Sequence, residues 1–284
     1  MPPAPSRDLL VRYAPGHPGA TPSAAEHWRE LWRHRELFFF LAWRDILVRY
    51  KQTVIGIAWA AIKAIVTVTV LAVVFGKLAR LPSHGVPYPL MVLAAILPWQ
   101  FLSSALTDAG NSLVGNSDLV SKVYFPRLII PASAVVVNLV DLFIAGLTMA
   151  GLFIWYAFVP DWRVLTLPFF IALAVAIALG AGLWFAALTA QYRDFRHILA
   201  LLLQLGLYVS PVGFSSSIVP QPWLGFFALN PVVGVVEGFR WALLGGASAD
   251  LFPALPLSIL VSTLLLVTGV RYFRAAERRF ADVI

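Results

Sequence analysis

The sequence predicts an all-α membrane protein with six transmembrane helices, an N-terminal amphipathic interface helix and two short re-entrant helices between spans five and six. Three observations carry that prediction. Of 284 residues, 60% are hydrophobic and only 12% charged, where soluble domains carry roughly 25% charged residues. The mean hydropathy is +0.82. Several long runs are free or nearly free of charge, and a helix needs about 20 such residues to cross ~30 Å of hydrocarbon. This composition excludes an ordinary soluble enzyme and a disordered chain. Cys is absent, which excludes a disulfide scaffold and a thiolate metal site.

Residues 1–25 are rich in Pro, Ala and Ser and lack the apolar core of a signal peptide, so they read as a flexible tail. Residues 26–54 carry too many charges to span and read as interface helices. In this stretch Trp43, Ile46, Leu47 and Tyr50 recur at helical spacing, with Asp45, Arg49 and Gln52 on the other side. Such a helix lies in the membrane surface with its apolar face in lipid. Trp28, Leu31 and Trp32 extend the same pattern. The helix is either a plain anchor or part of a gate.

Residues 55–284 read as the transmembrane domain. Span one is Ile57 to Val74, interrupted only by Lys63. Span two is Tyr88 to Thr107, with Pro98 inside. Span three is Leu128 to Val159, interrupted by Asp141. Span four, Val164 to Ala190, and the last, Leu251 to Val270, are uncharged. Between them Ile198 to Val236 also lacks charge. It is too long for one straight crossing and too short for two. Pro211, Gly213, Pro220, Pro222, Gly225, Pro231 and Gly234 break its second half. One span, Ile198 to Phe214, followed by two half-helices dipping back into the membrane fits this pattern. Broken backbone at that depth survives only under protein or beside water. The competing reading is one tilted helix plus an apolar surface loop.

Basic residues orient the spans. All Lys and Arg before residue 55, together with Lys122, Arg127, Arg193, Arg196, Arg271, Arg274, Arg278 and Arg279, fall on one side. Lys77, Arg80, Arg163 and Arg240 fall on the other. Both termini are therefore expected in the cytoplasm. The net charge of +7 flanks spans and faces anionic headgroups, so membrane lipid and not nucleic acid is the expected partner.

Two cytoplasmic segments stand out. Asn116 to Pro131 reads NSDLVSKVYFPRLIIP. Ser117 or Asp118 can cap a short helix there, Leu119, Val120, Val123 and Tyr124 give it an apolar stripe, and Pro126 ends it. It is either a docking element or an ordinary reversing loop. Gln191 to His197, QYRDFRH, reads as a tight turn.

Charges inside the membrane are few. Lys63 costs at least ~2.5 kcal/mol on insertion scales, so it should pair with Asp141, meet a substrate phosphate or face a pore; the bland alternative is snorkelling to an interface, which its depth in the predicted span disfavours. Asp108, near a span end, reads as solvated. Glu237 and Arg240 are three apart and can pair, as a structural pair or as a gate latch. Trp59, Tyr88, Trp99, Phe101, Trp184, Tyr208 and Phe214 read mostly as interface anchors. Trp59 and Tyr208 lie beside polar or breaking residues and are the pore candidates. The sequence contains no phosphate-binding G-x-x-x-x-G-K-[ST] loop, no His-Glu-x-x-His and no Gly-x-Ser-x-Gly. His17, His27, His34, His84 and His197 are scattered, without metal-ligand spacing. A permease without a cofactor or metal of its own is expected, and an intramembrane transferase is the remote rival.

Four stretches carry a family likeness: WRDILVRYKQTVIGIAW (Trp43 to Trp59), NSLVGNSDLVSKVYFPRLIIP (Asn111 to Pro131), QYRDFRH and LNPVVGVVEGFRWALLG (Leu229 to Gly245). With them the chain resembles the permease subunit of bacterial ABC-2-type exporters of lipid-linked polysaccharide, the family that exports O-antigen, capsule and teichoic acid. The resemblance implies a bacterial inner-membrane location, two copies of this chain and two copies of a separate P-loop ATPase that holds ATP and Mg. It implies a polymer on a polyprenyl diphosphate carrier passing between the copies. It makes Trp43, Arg44, Asp45, Arg49 and Tyr50 part of the interface helix. Ser117, Asp118, Leu119, Lys122, Val123, Tyr124, Phe125 and Arg127 resemble the coupling helix that docks on the ATPase. Trp59, Lys63, Asp141 and Tyr208 become channel candidates. Pro211, Phe214, Asn230, Pro231, Glu237 and Arg240 become periplasmic gate candidates. The chain departs from many relatives at Lys63–Ala64, where they have a polar residue followed by Pro. An ABC-2 exporter of a drug, another lipid or another glycoconjugate is the nearest alternative.

Overall fold

The computed structural model describes residues 29, 32–51, 58–81, 85–122, 125–245 and 251–277. The tail 1–25, Trp28, Leu31, Gln52, Val123 and Tyr124 lie outside these residues. Among the described residues the regular elements are helical: α1 (Arg35–Lys51), α2 (Ala58–Leu71) continuing into a π-helical turn (Ala72–Leu78), α3 (Tyr88–Gly115), α4 (Ser117–Lys122), α5 (Ile129–Trp155), α6 (Leu167–Gln191), α7 (Phe195–Val209), α8 (Leu224–Ala228), α9 (Pro231–Leu244) and α10 (Leu251–Glu277).

Among the described residues five helices are long and apolar enough to cross a membrane: Ala61–Leu78, Tyr88–Gly115, Ile129–Trp155, Trp162–Gln191 and Ala254–Glu277. A sixth is reached if Gln221–Ala228 and Pro231–Leu244 count together, bent by 100° at their junction. The predicted fifth span differs in extent. α7 has 15 residues, about 22 Å at 1.5 Å per residue, and it ends at Val209 rather than Phe214. Pro211 is the cause: it disfavours a helical residue before it, and Ser210 is extended at φ −94, ψ 150.

α3 is the centre of the bundle. Every residue from Leu90 to Trp99 is buried, as expected for a helix that is apolar all round. Pro89 fits its first turn. α3 packs on α5 and α6, and α6 packs on α10. Trp99 and Phe101 belong to this core, which corrects their reading as interface anchors. The helices around α3 meet on small residues. A Cβ on Gly269 would stand 2.2 Å from the Gly180 carbonyl oxygen, so α6 and α10 meet backbone to backbone. A Cβ on Gly238 would stand 2.1 Å from the Phe170 ring.

A second apolar cluster joins Leu41 of α1, Leu113 of α3, Val120 of α4, Phe125 and Phe273 of α10. It seats α4 against the body of the bundle. Phe125, predicted on the docking face, is only 5% exposed and points into this cluster. An aromatic that fills a core cannot also lie on the surface. The cap prediction is also corrected. Ser117 and Asp118 lie in the first turn of α4, and Asn116 holds the position before it. Its side-chain oxygen accepts instead from Arg44 Nη2 at 2.9 Å.

Candidate functional site

A cavity of about 1060 Å³ opens among α1, α2, α3, α5 and α7. Four predicted channel candidates line it together: Trp59 and Lys63 of α2, Asp141 of α5 and Tyr208 of α7. α3 contributes a polar stripe of Gln100, Ser103, Ser104 and Thr107. These follow the i, i+3, i+4, i+7 spacing that puts residues on one helix face. Ser103 and Thr107 satisfy their own hydroxyls on the carbonyls of Gln100 and Ser103. They therefore keep acceptor capacity for a guest. α7 adds Gln204 one turn before Tyr208.

One wall is organised by Arg49. Its Nη2 donates to Asp108 Oδ2 at 2.5 Å, and its Nη1 donates to Asp141 Oδ2 at 2.6 Å and to Asn138 Oδ1 at 3.1 Å. The planar fork of a guanidinium suits this three-way contact. Asn138 Nδ2 donates in turn to Asp108 at 2.8 Å. The Tyr50 hydroxyl donates to the second oxygen of Asp141. One side chain from α1 thus fastens α3 to α5. Burial works against the charge of Arg49, but Asp108 and then Asp141 outweigh it, and its pKa is raised. Burial, the hydrogen bond to Asp141 and that carboxylate's charge raise the Tyr50 pKa, against the opposing effect of Arg49.

This network corrects three expectations. Tyr50, placed on the lipid side, turns its hydroxyl inward because α1 lies close against α5. Asp108 is not simply solvated but paired. Asp141 is satisfied by Arg49 and Tyr50 and is not the partner of Lys63. Among the described residues the Lys63 ammonium has no hydrogen bond or ion pair. Asp108, Asn138 and the α3 stripe were missed as site residues. The signal was present: Asn138 and Asp141 are i, i+3 on an apolar helix, and a polar stripe inside an apolar span points to water or polar partners.

The rest of the interface helix is more exposed. Trp43 is 62% exposed, while Arg44 pairs with Asp45 at 2.7 Å. Of the docking candidates, Leu119 is half-buried and Asp118 exposed. Arg127 ties the loop after α4 to the end of α10: its backbone N–H donates to Glu277 Oε1 at 2.9 Å, and its Nη1 donates to the Glu277 carbonyl at 2.6 Å.

The gate candidates gather at the end of α7. Glu237 and Arg240 pair at 3.1 Å with both side chains buried, as their spacing predicts. Arg240 also donates to the carbonyls of Phe214 at 2.8 Å, Val212 at 3.0 Å and Met91 at 3.3 Å. Glu237 accepts from Ser216 Oγ at 2.7 Å, and Tyr88 donates to the Gly213 carbonyl at 2.6 Å. Pro211 is buried. Asn230 caps α9 through Val232 N at 3.1 Å and donates to Ser210 Oγ at 3.0 Å, with Pro231 in the first helical turn. The pair therefore pins the 210–216 loop. Among the described residues no group of three His, Cys, Asp or Glu is placed to hold a metal ion.

The ABC-2 type transporter profile matches residues 36–244. The chain belongs to that family. It is a multi-pass membrane protein and the transport subunit of its system, with ATP hydrolysis on a separate subunit. It is similar to the O-antigen export system permease protein RfbA of Myxococcus xanthus, 26% identical over 90% of this chain and 98% of the relative. A Klebsiella pneumoniae protein of the same name is 23% identical, over 88% and 95%. The polysialic acid transport protein KpsM of Escherichia coli is 23% identical, over 72% and 79%.

Proposed function

We propose that this ABC-2 transporter subunit exports a lipid-linked polysaccharide across a bacterial inner membrane. The observation that carries the reading is the cavity. A hydroxyl- and amide-lined stripe in an otherwise apolar bundle, with Trp59 and Tyr208 beside it, suits a polymer of sugar rings. Sugar hydroxyls exchange hydrogen bonds with the stripe, and their C–H faces meet the negative faces of aromatic rings. The names of the relatives agree with this cargo.

Two copies of the chain pair about a two-fold axis, each supplying one wall of the conduit, and each meets one copy of the ATPase, which binds ATP and Mg. Both termini lie in the cytoplasm. α4 and the residues after it in sequence dock on the ATPase through Ser117, Asp118, Leu119, Lys122, Val123, Tyr124 and Arg127. It follows α3 after a single residue, so a push on α4 turns the central helix. The Arg49 contacts and the Arg127–Glu277 contacts pass that motion to α1, α5 and α10. α8 and α9 form a re-entrant pair at the periplasmic end, with Pro211, Phe214, Asn230, Pro231, Glu237 and Arg240 as its frame.

Deletion of the gene and complementation test this. Loss of long surface polysaccharide, with lipid-linked polymer accumulating inside, is the expected result. Unchanged surface polysaccharide would remove the polysaccharide from the account.

A further inference from the structure

The charges of the cavity are not equally available to a guest. Arg49 is occupied by Asp108 and Asp141, and both carboxylates are occupied by Arg49, Asn138 and Tyr50. Lys63 is different. It is exposed, it lines the same cavity, and among the described residues no acceptor meets its ammonium. It stands near one end of the α2 span, two residues in from Ala61 of Ala61–Leu78, where a long lysine side chain carries its ammonium into polar surroundings. Trp59 lies four residues earlier, one turn along the same face of α2, and it too lines the cavity, 61% exposed. Gln204 and Tyr208 of α7, which line the same cavity, repeat the pattern of one polar group and one ring, again at i, i+4.

We propose that Trp59 and Lys63 form a subsite for a saccharide unit that bears an anionic oxygen group, a carboxylate or a phosphate. The ring of Trp59 takes the C–H face of the sugar. The ammonium one turn away takes the charged oxygen, and Gln204 and Tyr208 hold neutral hydroxyls. The ammonium is a point charge with three rotating donors, so it follows an acidic group from one repeat unit to the next. Arg49, fixed between two carboxylates, does not compete for the guest, and it neutralises one of their two negative charges. The subsite rests on the reading of the chain as a polysaccharide exporter and narrows the cargo to acidic polymer or to the charged end of a lipid-linked one.

The test uses the complex of this chain with its ATPase partner in lipid nanodiscs and measures equilibrium binding of three probes. Trigalacturonate stands for an acidic repeat, undecaprenyl diphosphate for the carrier end, and maltotriose for a neutral glycan. Exchanging a charge-assisted for a neutral hydrogen bond changes affinity by about tenfold. Lys63→Gln is therefore expected to weaken one acidic probe about tenfold and leave maltotriose unchanged, with Lys63→Arg restoring binding. The acidic probe that responds, trigalacturonate or the diphosphate, identifies the source of the charge. Equal binding of both acidic probes to wild type and Lys63→Gln overturns the subsite, as does a loss that Lys63→Arg fails to restore. Failure of the exporter reading looks different: wild-type complex binds none of the three probes, and cells lacking the chain keep their surface polysaccharide. That outcome overturns the subsite as well.

Discussion

Removing Arg49 should release α1 from the bundle. Arg49→Gln takes away two ion pairs at once, to Asp108 and to Asp141, whose side chains are 35% and 30% exposed. An exposed pair contributes about 0–1 kcal/mol, and breaking a fully buried pair costs about 3–5 kcal/mol. Two pairs that are one-third exposed lie between, at about 2 kcal/mol together. At 1.4 kcal/mol per factor of ten, that raises the undocked population of α1 about 30-fold. The absence of Cys makes the assay clean. Ala42 of α1 is 6% exposed, so Ala42→Cys reacts with maleimide only when α1 lifts away. The labelling rate in native membranes should rise about 30-fold in the Arg49→Gln background. Arg49→Lys should fall between, because an ammonium keeps the charge but cannot fork across two carboxylates. A labelling rate within twofold of the parent in Arg49→Gln would refute the fastening of α1 by Arg49, whatever the effect on transport.

Three further outcomes are expected, the first two from the geometry. Glu237→Gln, or Arg240→Met, breaks a pair in which both side chains are buried and should cost about 3–5 kcal/mol, read as a lower midpoint in detergent thermal unfolding. The double variant should lose less than the sum of the two singles, and an additive loss would contradict the pairing. Gly238→Ala drives a Cβ into the Phe170 ring and should sharply reduce folded yield, with Phe170→Ala partly restoring it. Full yield in Gly238→Ala alone would show that α6 and α9 separate easily. Lys122→Glu or Tyr124→Ala should leave the chain inserted but deprive it of its ATPase on co-purification, and normal assembly with normal export in both would remove α4 as the docking helix.

The spans were legible because each is a local pattern. A run of apolar residues between charged flanks is visible without any partner, and all five long helices begin within a few residues of the predicted starts. The end of α7 was less so, since Pro211 marks a break without saying that the helix stops at Val209. The cavity was half legible. Trp59, Lys63, Asp141 and Tyr208 each stood out as polar or amphipathic residues in apolar surroundings, and the structure brings all four to one space. What the sequence hid were the pairings across distance. Arg49 lies 59 and 92 positions from its carboxylates, and Arg127 lies 150 from Glu277. No periodicity reports such a contact, so Arg49 looked like a solvated headgroup contact and Asp108 like a surface acid. Phe125 failed for the same reason, because an apolar residue on a short helix fits a docking face as well as a local core until neighbouring helices are placed.

The central claim is that this chain is the membrane subunit of an ATP-driven polysaccharide exporter. Gentle detergent extraction of the tagged chain, followed by mass spectrometry of bound proteins and of extractable glycolipids, tests it most directly. The account predicts an equimolar P-loop ATPase together with a polyprenyl-linked glycan. A chain that purifies without any ATPase, or with an ATPase and a cargo that carries no sugar, would contradict it.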